Sequence, residues 1–80
     1  MKDYKFTAYF ENVLLRKRSY LRKKWCIDVV ENYEGMEQQE DNRYRFWKRI
    51  EELDFKYLRV ITLDDKTTIH NAFPDRRYTP

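Results

Sequence analysis

The run from Arg43 to Arg49, Arg-Tyr-Arg-Phe-Trp-Lys-Arg, alternates with the period of an extended strand. Successive side chains on a strand point to opposite faces, so Arg43, Arg45, Trp47 and Arg49 share one face while Tyr44 and Phe46 take the other. The second face suits a core. The first gathers cations around an indole, a combination able to stack a base while holding phosphates. It equally suits a solvated face on which arginine stems pack over Trp47.

The rest of the second half extends this pattern. Met36–Gln39 and Arg43–Ile50 are expected strands joined by the turn Glu40-Asp41-Asn42. Tyr57–Leu63 and Thr67–Phe73 follow, joined by Asp64-Asp65-Lys66, and Pro74 stops the last strand. Residues 51–56 form a polar loop from which Phe55 is expected to tuck inward.

The first half has helical spacing instead. Phe6, Phe10, Val13, Leu14 and Lys17 predict a helix over about Tyr9–Lys17, preceded by a short strand or arm near Tyr4–Phe6. Leu21, Trp25, Cys26, Val29 and Val30 form one apolar stripe on a second helix over about Tyr20–Asn32, with Ser19 as its N-cap. Asn32 and Gly35 would end it in the left-handed conformation. The expected fold is therefore α+β, with two N-terminal helices packed on one face of a three- to four-stranded antiparallel sheet and a short leading strand.

Eighty residues are expected to make one domain spanning 1–80, burying only about 60–65% of the unfolded surface and leaving little room for a cofactor cavity. Seven Tyr, five Phe and two Trp can nonetheless fill a small core. The formal charge is only +3, but it is unevenly distributed. Six of the nine residues from Arg16 to Lys24 are basic, whereas Glu31–Asp41 holds five acids and no base. Arg16, Lys17, Arg18, Lys23 and Lys24 would steer RNA by charge; the acidic run is a spacer, a contact for a basic partner or a solvated face.

The lone Cys26 excludes an internal disulfide and fits a reducing compartment. Lys2, Asp3 and Lys5 interrupt the opening stretch, so no signal peptide is expected, and no run approaches a membrane span. A soluble cytoplasmic protein without a membrane partner is expected. One Cys and one His cannot close a zinc site, and a single glycine rules out Gly-rich phosphate loops. No metal or cofactor is expected. Asp64 and Asp65 fit a turn better than a metal site. Cys26, in the apolar stripe beside Trp25, is a poor nucleophile.

His70 has an unperturbed pKa near 6.5 and is suited to acid or base work. If Arg45, Arg59 and His70 point the same way, they line an open sheet face with Trp47. Such a set can cleave RNA without a metal: a base takes the 2′-hydroxyl proton, cations stabilise the phosphorane, and an acid protonates the leaving oxygen. Arg45, Arg59, Arg76 or Arg77 would supply the charge, and Tyr78 would orient substrate or donate a proton. A strand histidine with a structural hydrogen bond is the simpler alternative for His70.

The order of a basic helix, a second helix ending Val-Val-Glu-Asn, and strands carrying Arg-Tyr-Arg-Phe-Trp, Tyr-Leu-Arg-Val-Ile-Thr-Leu-Asp-Asp and Thr-Ile-His-Asn-Ala-Phe-Pro-Asp-Arg-Arg-Tyr resembles the RelE/BrnT-like superfamily of small bacterial toxin ribonucleases. The resemblance implies a metal-independent endoribonuclease of a toxin–antitoxin pair, acting on mRNA, commonly on the ribosome, and covered by an antitoxin protein. Positions carried over as catalytic are Arg59, His70, Arg76 and Tyr78. Arg43, Arg45, Trp47, Arg49 and Arg77 join the basic helix residues as RNA contacts. A non-catalytic nucleic-acid-binding or protein-interaction module on the same surface is the alternative, and a homo-oligomer is compatible with either.

Overall fold

A computed structural model describes residues 3–80; Met1 and Lys2, the latter part of the interrupted opening stretch, lie outside the described residues. The chain runs β1 (Lys5–Phe6), a π-helical turn (Phe10–Leu14) continuing into α1 (Leu15–Lys17), α2 (Lys23–Glu31), β2 (Gly35–Gln38), β3 (Tyr44–Ile50), a 3₁₀ turn (Glu51–Leu53), β4 (Lys56–Thr62) and β5 (Thr68–Pro74). The class is α+β, as the alternation of periods implied.

The strand count differs from the expected three to four. The sheet has five strands in the order β1-β5-β4-β3-β2, and it is mixed, because β1 lies parallel to β5 while the other pairs are antiparallel. Lys5 N donates to Thr67 O and Thr7 N to Ile69 O, both at 3.0 Å. Parallel pairing needs a crossover, and here the two helices and three strands between β1 and β5 supply it.

One sheet face carries the helices. Phe46 and Ile50 of β3, Leu58 and Val60 of β4, and Ile69 and Ala72 of β5 meet Phe10, Leu14, Leu21, Trp25, Cys26, Val29 and Val30. The α2 stripe falls at i, i+1, i+4 and i+5, the spacing of a buried helix face. In the first helix the Leu15 N–H bonds back to Phe10 O, a five-residue step. This wide turn buries Phe10 and Leu14 one above the other and leaves Val13 at the surface.

Several local expectations are corrected. The second helix starts at Lys23, three residues after the expected Tyr20, with extended Arg22 before it and no side-chain cap from Ser19. Leu21 N donates to Arg18 O, making a turn that drops Leu21 into the core. Asn32 ends the helix at φ −124°, and Gly35 has no positive φ, so neither uses the left-handed region. Phe55 does not tuck inward. It follows Asp54 with both residues at positive φ, and it is 59% exposed.

Candidate functional site

The face opposite the helices is set by register. Arg45 pairs with Ile61 and Ile61 with Asn71; Trp47 pairs with Arg59 and Arg59 with Phe73; Arg49 pairs with Tyr57. Cross-strand partners share a face, so Arg45, Trp47, Arg49 and Arg59 do line the open face. Two distinct clusters occupy it.

The first cluster is closed. Asp75 follows β5 and is fixed by its N–H donating to Tyr57 O at 2.8 Å. Its Oδ2 accepts from Trp47 Nε1 at 3.0 Å and from Arg59 Nε and an Arg59 terminal nitrogen at 3.1 and 2.9 Å. Its Oδ1 accepts from Arg77 N at 3.0 Å. Burial pushes the Asp75 carboxyl up, but the bonds from Trp47, Arg77 and Arg59, with the Arg59 charge, outweigh burial and leave it below its ordinary value. Charge-assisted bonds of this kind are the strong ones. The Arg59 guanidinium also lies between two rings, 5.5 Å from the Trp47 centroid and 4.8 Å from that of Phe73.

Tyr78 completes the closure. Its ring stacks on Trp47 with centroids 4.7 Å apart and planes 13° apart, and it tilts against Tyr57 at 4.9 Å. Gly35 lies beneath, and a Cβ there would overlap the Tyr78 hydroxyl. The chain's single glycine thus serves close approach rather than backbone freedom. Trp47 is 4% exposed, so the indole expected to stack a base is covered.

The second cluster surrounds His70. Strict alternation would put His70 on the helix side with Ala72. A bulge between Ile61 and Thr62 of β4 and the facing strand lets Ile61 pair with Asn71 while Thr62 pairs with Ile69. One extra residue on a strand breaks the period. Ile69 and Ala72, three apart, are both fully buried in the core, and His70 turns to the open side. There His70 Nδ1 lies 3.1 Å from Thr7 Oγ1, and its ring lies 5.1 Å from that of Tyr9.

Thr7 is itself held. Its Oγ1 accepts from Phe10 N at 3.1 Å and its carbonyl from Glu11 N at 3.1 Å, closing the approach to the first helix. With Nδ1 against Thr7, Nε2 is the nitrogen left for a ligand. Burial, and then the charge of Arg43, lower the His70 pKa below its ordinary value and so favour the neutral ring. Farther along the same edge Arg18 sits over Phe73, 5.8 Å from its centroid.

The expected catalytic set is therefore divided. Arg59 and Tyr78 belong to the Asp75 cluster, and His70 contacts Thr7 and Tyr9 across the sheet. Arg76 is exposed, as is Arg77. Arg45 lies 3.8 Å from Glu37, and its Nε is buried without a partner. Arg49 is exposed at the end of β3. Arg16, Lys17 and Lys24 are exposed, and Lys23 pairs with Glu11 while lying over Phe6.

Asp75, Thr7, Tyr9 and Phe73 were not among the expected site residues. The single glycine was a usable signal for the Tyr78 contact; Asp75 carried none, because nothing local distinguishes it from a solvated acid.

Other features are structural or lie elsewhere. Asp65 Oδ1 accepts from Thr67 N and Thr68 N at 2.9 and 2.8 Å, shaping the hairpin turn. Those bonds and the Thr68 hydroxyl outweigh burial and hold its carboxyl down at about 2. Burial pushes the Cys26 thiol up to about 12, unsuited to a nucleophile. An open groove of about 560 Å³ lies between the start of α2 and the β3–β4 connection, lined by residues including Lys24, Trp25, Lys48, Glu52 and Phe55. Among the described residues, no three His, Cys, Asp or Glu side chains are grouped to hold a metal ion, and no helix is long and apolar enough to cross a membrane.

No family model matches the chain, and neither does any curated protein or any solved structure.

Proposed function

We propose that the protein binds RNA at the His70 edge of its open face and cleaves it there without a metal, as the toxin of a toxin–antitoxin pair. The observation that carries this reading is the His70 cluster: a neutral imidazole oriented through Nδ1 by Thr7, beside the Tyr9 ring and under the charge of Arg43. An oriented neutral imidazole is what a general base requires. With Nδ1–H donating to Thr7 Oγ1, Nε2 is unprotonated: it takes the proton of a ribose 2′-hydroxyl, the 2′-oxygen bonds to the adjacent phosphorus, and the 5′-oxygen leaves with a proton from the imidazolium. Arg43 offsets the charge that develops on the phosphorane. Arg18, with exposed Arg16 and Lys17, guides the strand along the edge.

RelE/BrnT-like kinship remains part of the proposal, supported by the element order and the His70 strand. An antitoxin would place an acidic segment over Arg43 and His70. The test incubates the protein with total RNA, with and without EDTA, beside His70→Ala, and maps new 5′ ends. EDTA-resistant cuts that vanish in the variant are expected; cuts that persist in it would sink the assignment of His70.

A second reading has its own support. Arg59 and Trp47 are already satisfied by Asp75, as in a module that binds nucleic acid or protein without chemistry. RNA retarded in a mobility shift but never cut would favour it.

A further inference from the structure

The contacts of Tyr78 and Asp75 with Trp47 and Arg59 have the form of a nucleotide contact made by the chain with itself. A flat ring stacks on an indole, and an anion sits in the fork of an arginine. Stacking on an aromatic side chain accepts any base, because every base has a π face.

The two halves of this contact are held differently. Asp75 is 9% exposed and tied to the sheet through its own N–H and through Oδ2. Beyond it, Arg76, Arg77, Thr79 and Pro80 are exposed. Among the described residues, the one hydrogen bond made by 76–80 is Arg77 N donating to Asp75 Oδ1. Tyr78 is held by its ring contacts with Trp47 and Tyr57 and by the space over Gly35. A segment with few fixed contacts opens at low free energy. When Tyr78 lifts off with Asp75 as the fixed point, it uncovers a ring-sized slot. Trp47 is the floor, Gly35 leaves room at the far side, Tyr57 is a wall, and the cations Arg49, Arg76 and Arg77 are close by in the chain.

We infer that Trp47 is a base-binding site for unpaired RNA, masked by Tyr78, which occupies the place of the base and is exchanged for it on binding. This rests on the RNA reading proposed above and adds a second subsite on the face that carries His70. Because Tyr78 competes with ligand, apparent affinity is reduced by the fraction of molecules that are open. Removing the ring should therefore tighten binding rather than weaken it.

The test measures fluorescence anisotropy of a labelled 2′-O-methyl octacytidylate, which has no free 2′-hydroxyl and cannot be cut by the proposed route. The native protein, Tyr78→Ala, Tyr78→Phe and Gly35→Ala are compared, each checked by thermal melting. Tyr78→Ala is expected to bind on the order of tenfold more tightly. Tyr78→Phe, which keeps the ring, should match the native protein, and Gly35→Ala, whose methyl projects into the slot that ring and base would share, should bind no more tightly than the native protein. Stronger quenching of tryptophan emission in Tyr78→Ala should accompany the gain. Equal or weaker binding by Tyr78→Ala, with the native protein binding, overturns the exchange and leaves the RNA reading standing. Failure of every form to bind overturns the inference; the RNA reading is then judged separately by whether total RNA is cut.

Discussion

In the Trp47–Arg59 half of the open face, the chain satisfies its own groups: Asp75 takes the Trp47 N–H and the Arg59 fork, and Tyr78 covers the indole. On the β5–β1 side, Thr7 meets His70 at one ring nitrogen, and the Arg43 charge acts on the ring. The first arrangement stabilises. The second holds a titratable group through one ring nitrogen, an arrangement on which the proposed chemistry depends. Aromatic and cationic side chains are common to both halves, so residue type alone does not separate them. A single carboxylate at position 75 does.

The largest effect should come from removing that carboxylate. Asp75→Ala leaves the Trp47 N–H and the Arg59 guanidinium without their acceptor in a site where the Arg59 side chain is only 23% exposed. Breaking a buried pair in this way costs about 3 kcal/mol, measurable by urea unfolding. A loss below about 0.5 kcal/mol, the level of an ordinary surface change, would mean that the closed half is not a stabilising unit. The acid limb gives the same contrast. The folded Asp75 pKa lies below its unfolded value, so its contribution is full above the unfolded pKa and is lost as pH falls through the folded one. Asp75→Ala should lose that part of the acid dependence.

A smaller effect is expected on the open half. Thr7→Val removes the oxygen that accepts from Phe10 N and meets His70, at a cost of about 1 kcal/mol by analogy with the loss of a helix cap. A loss as large as that of Asp75→Ala would erase the difference between the halves. The smallest stability effect should come from Arg43→Gln, whose readout is the His70 ring followed by NMR. Without the cation, the His70 pKa should rise toward its ordinary value. The native ring, with its pKa lowered, gives stability that is full above the unfolded pKa and declines as pH falls through the folded one; the variant should decline less. An unmoved His70 titration would remove Arg43 from the site.

Much of the fold could be foreseen from local pattern, and the reasons are specific. The strands β2 to β5 each begin and end within one residue of expectation, because period-two alternation and the breaks at Asp41-Asn42, Asp65-Lys66 and Pro74 are local signals. The α2 stripe was legible for the same reason. The helix start was not, because Ser19 offers a cap hydroxyl to any nearby amide, whereas the burial of Leu21 decided where the chain turned. The shared face of Arg45, Trp47, Arg49 and Arg59 followed from alternation and cross-strand pairing. Their accessibility did not, since burial depends on what folds back over them.

By itself, then, the sequence determined the periods, the strand faces, the hairpin turn built on Asp65 and the apolar stripe that covers one side of the sheet. Only the tertiary structure decided that β1 joins β5 in parallel, that a bulge turns His70 to the open side, and that Asp75 and Tyr78 close over Trp47 beside the one glycine. Periodicity is a property of neighbours along the chain and can be read from one segment. Parallel pairing, bulge placement and the docking of 75–78 each depend on which of several distant surfaces gains most from contact. That comparison exists only once the segments have been brought together.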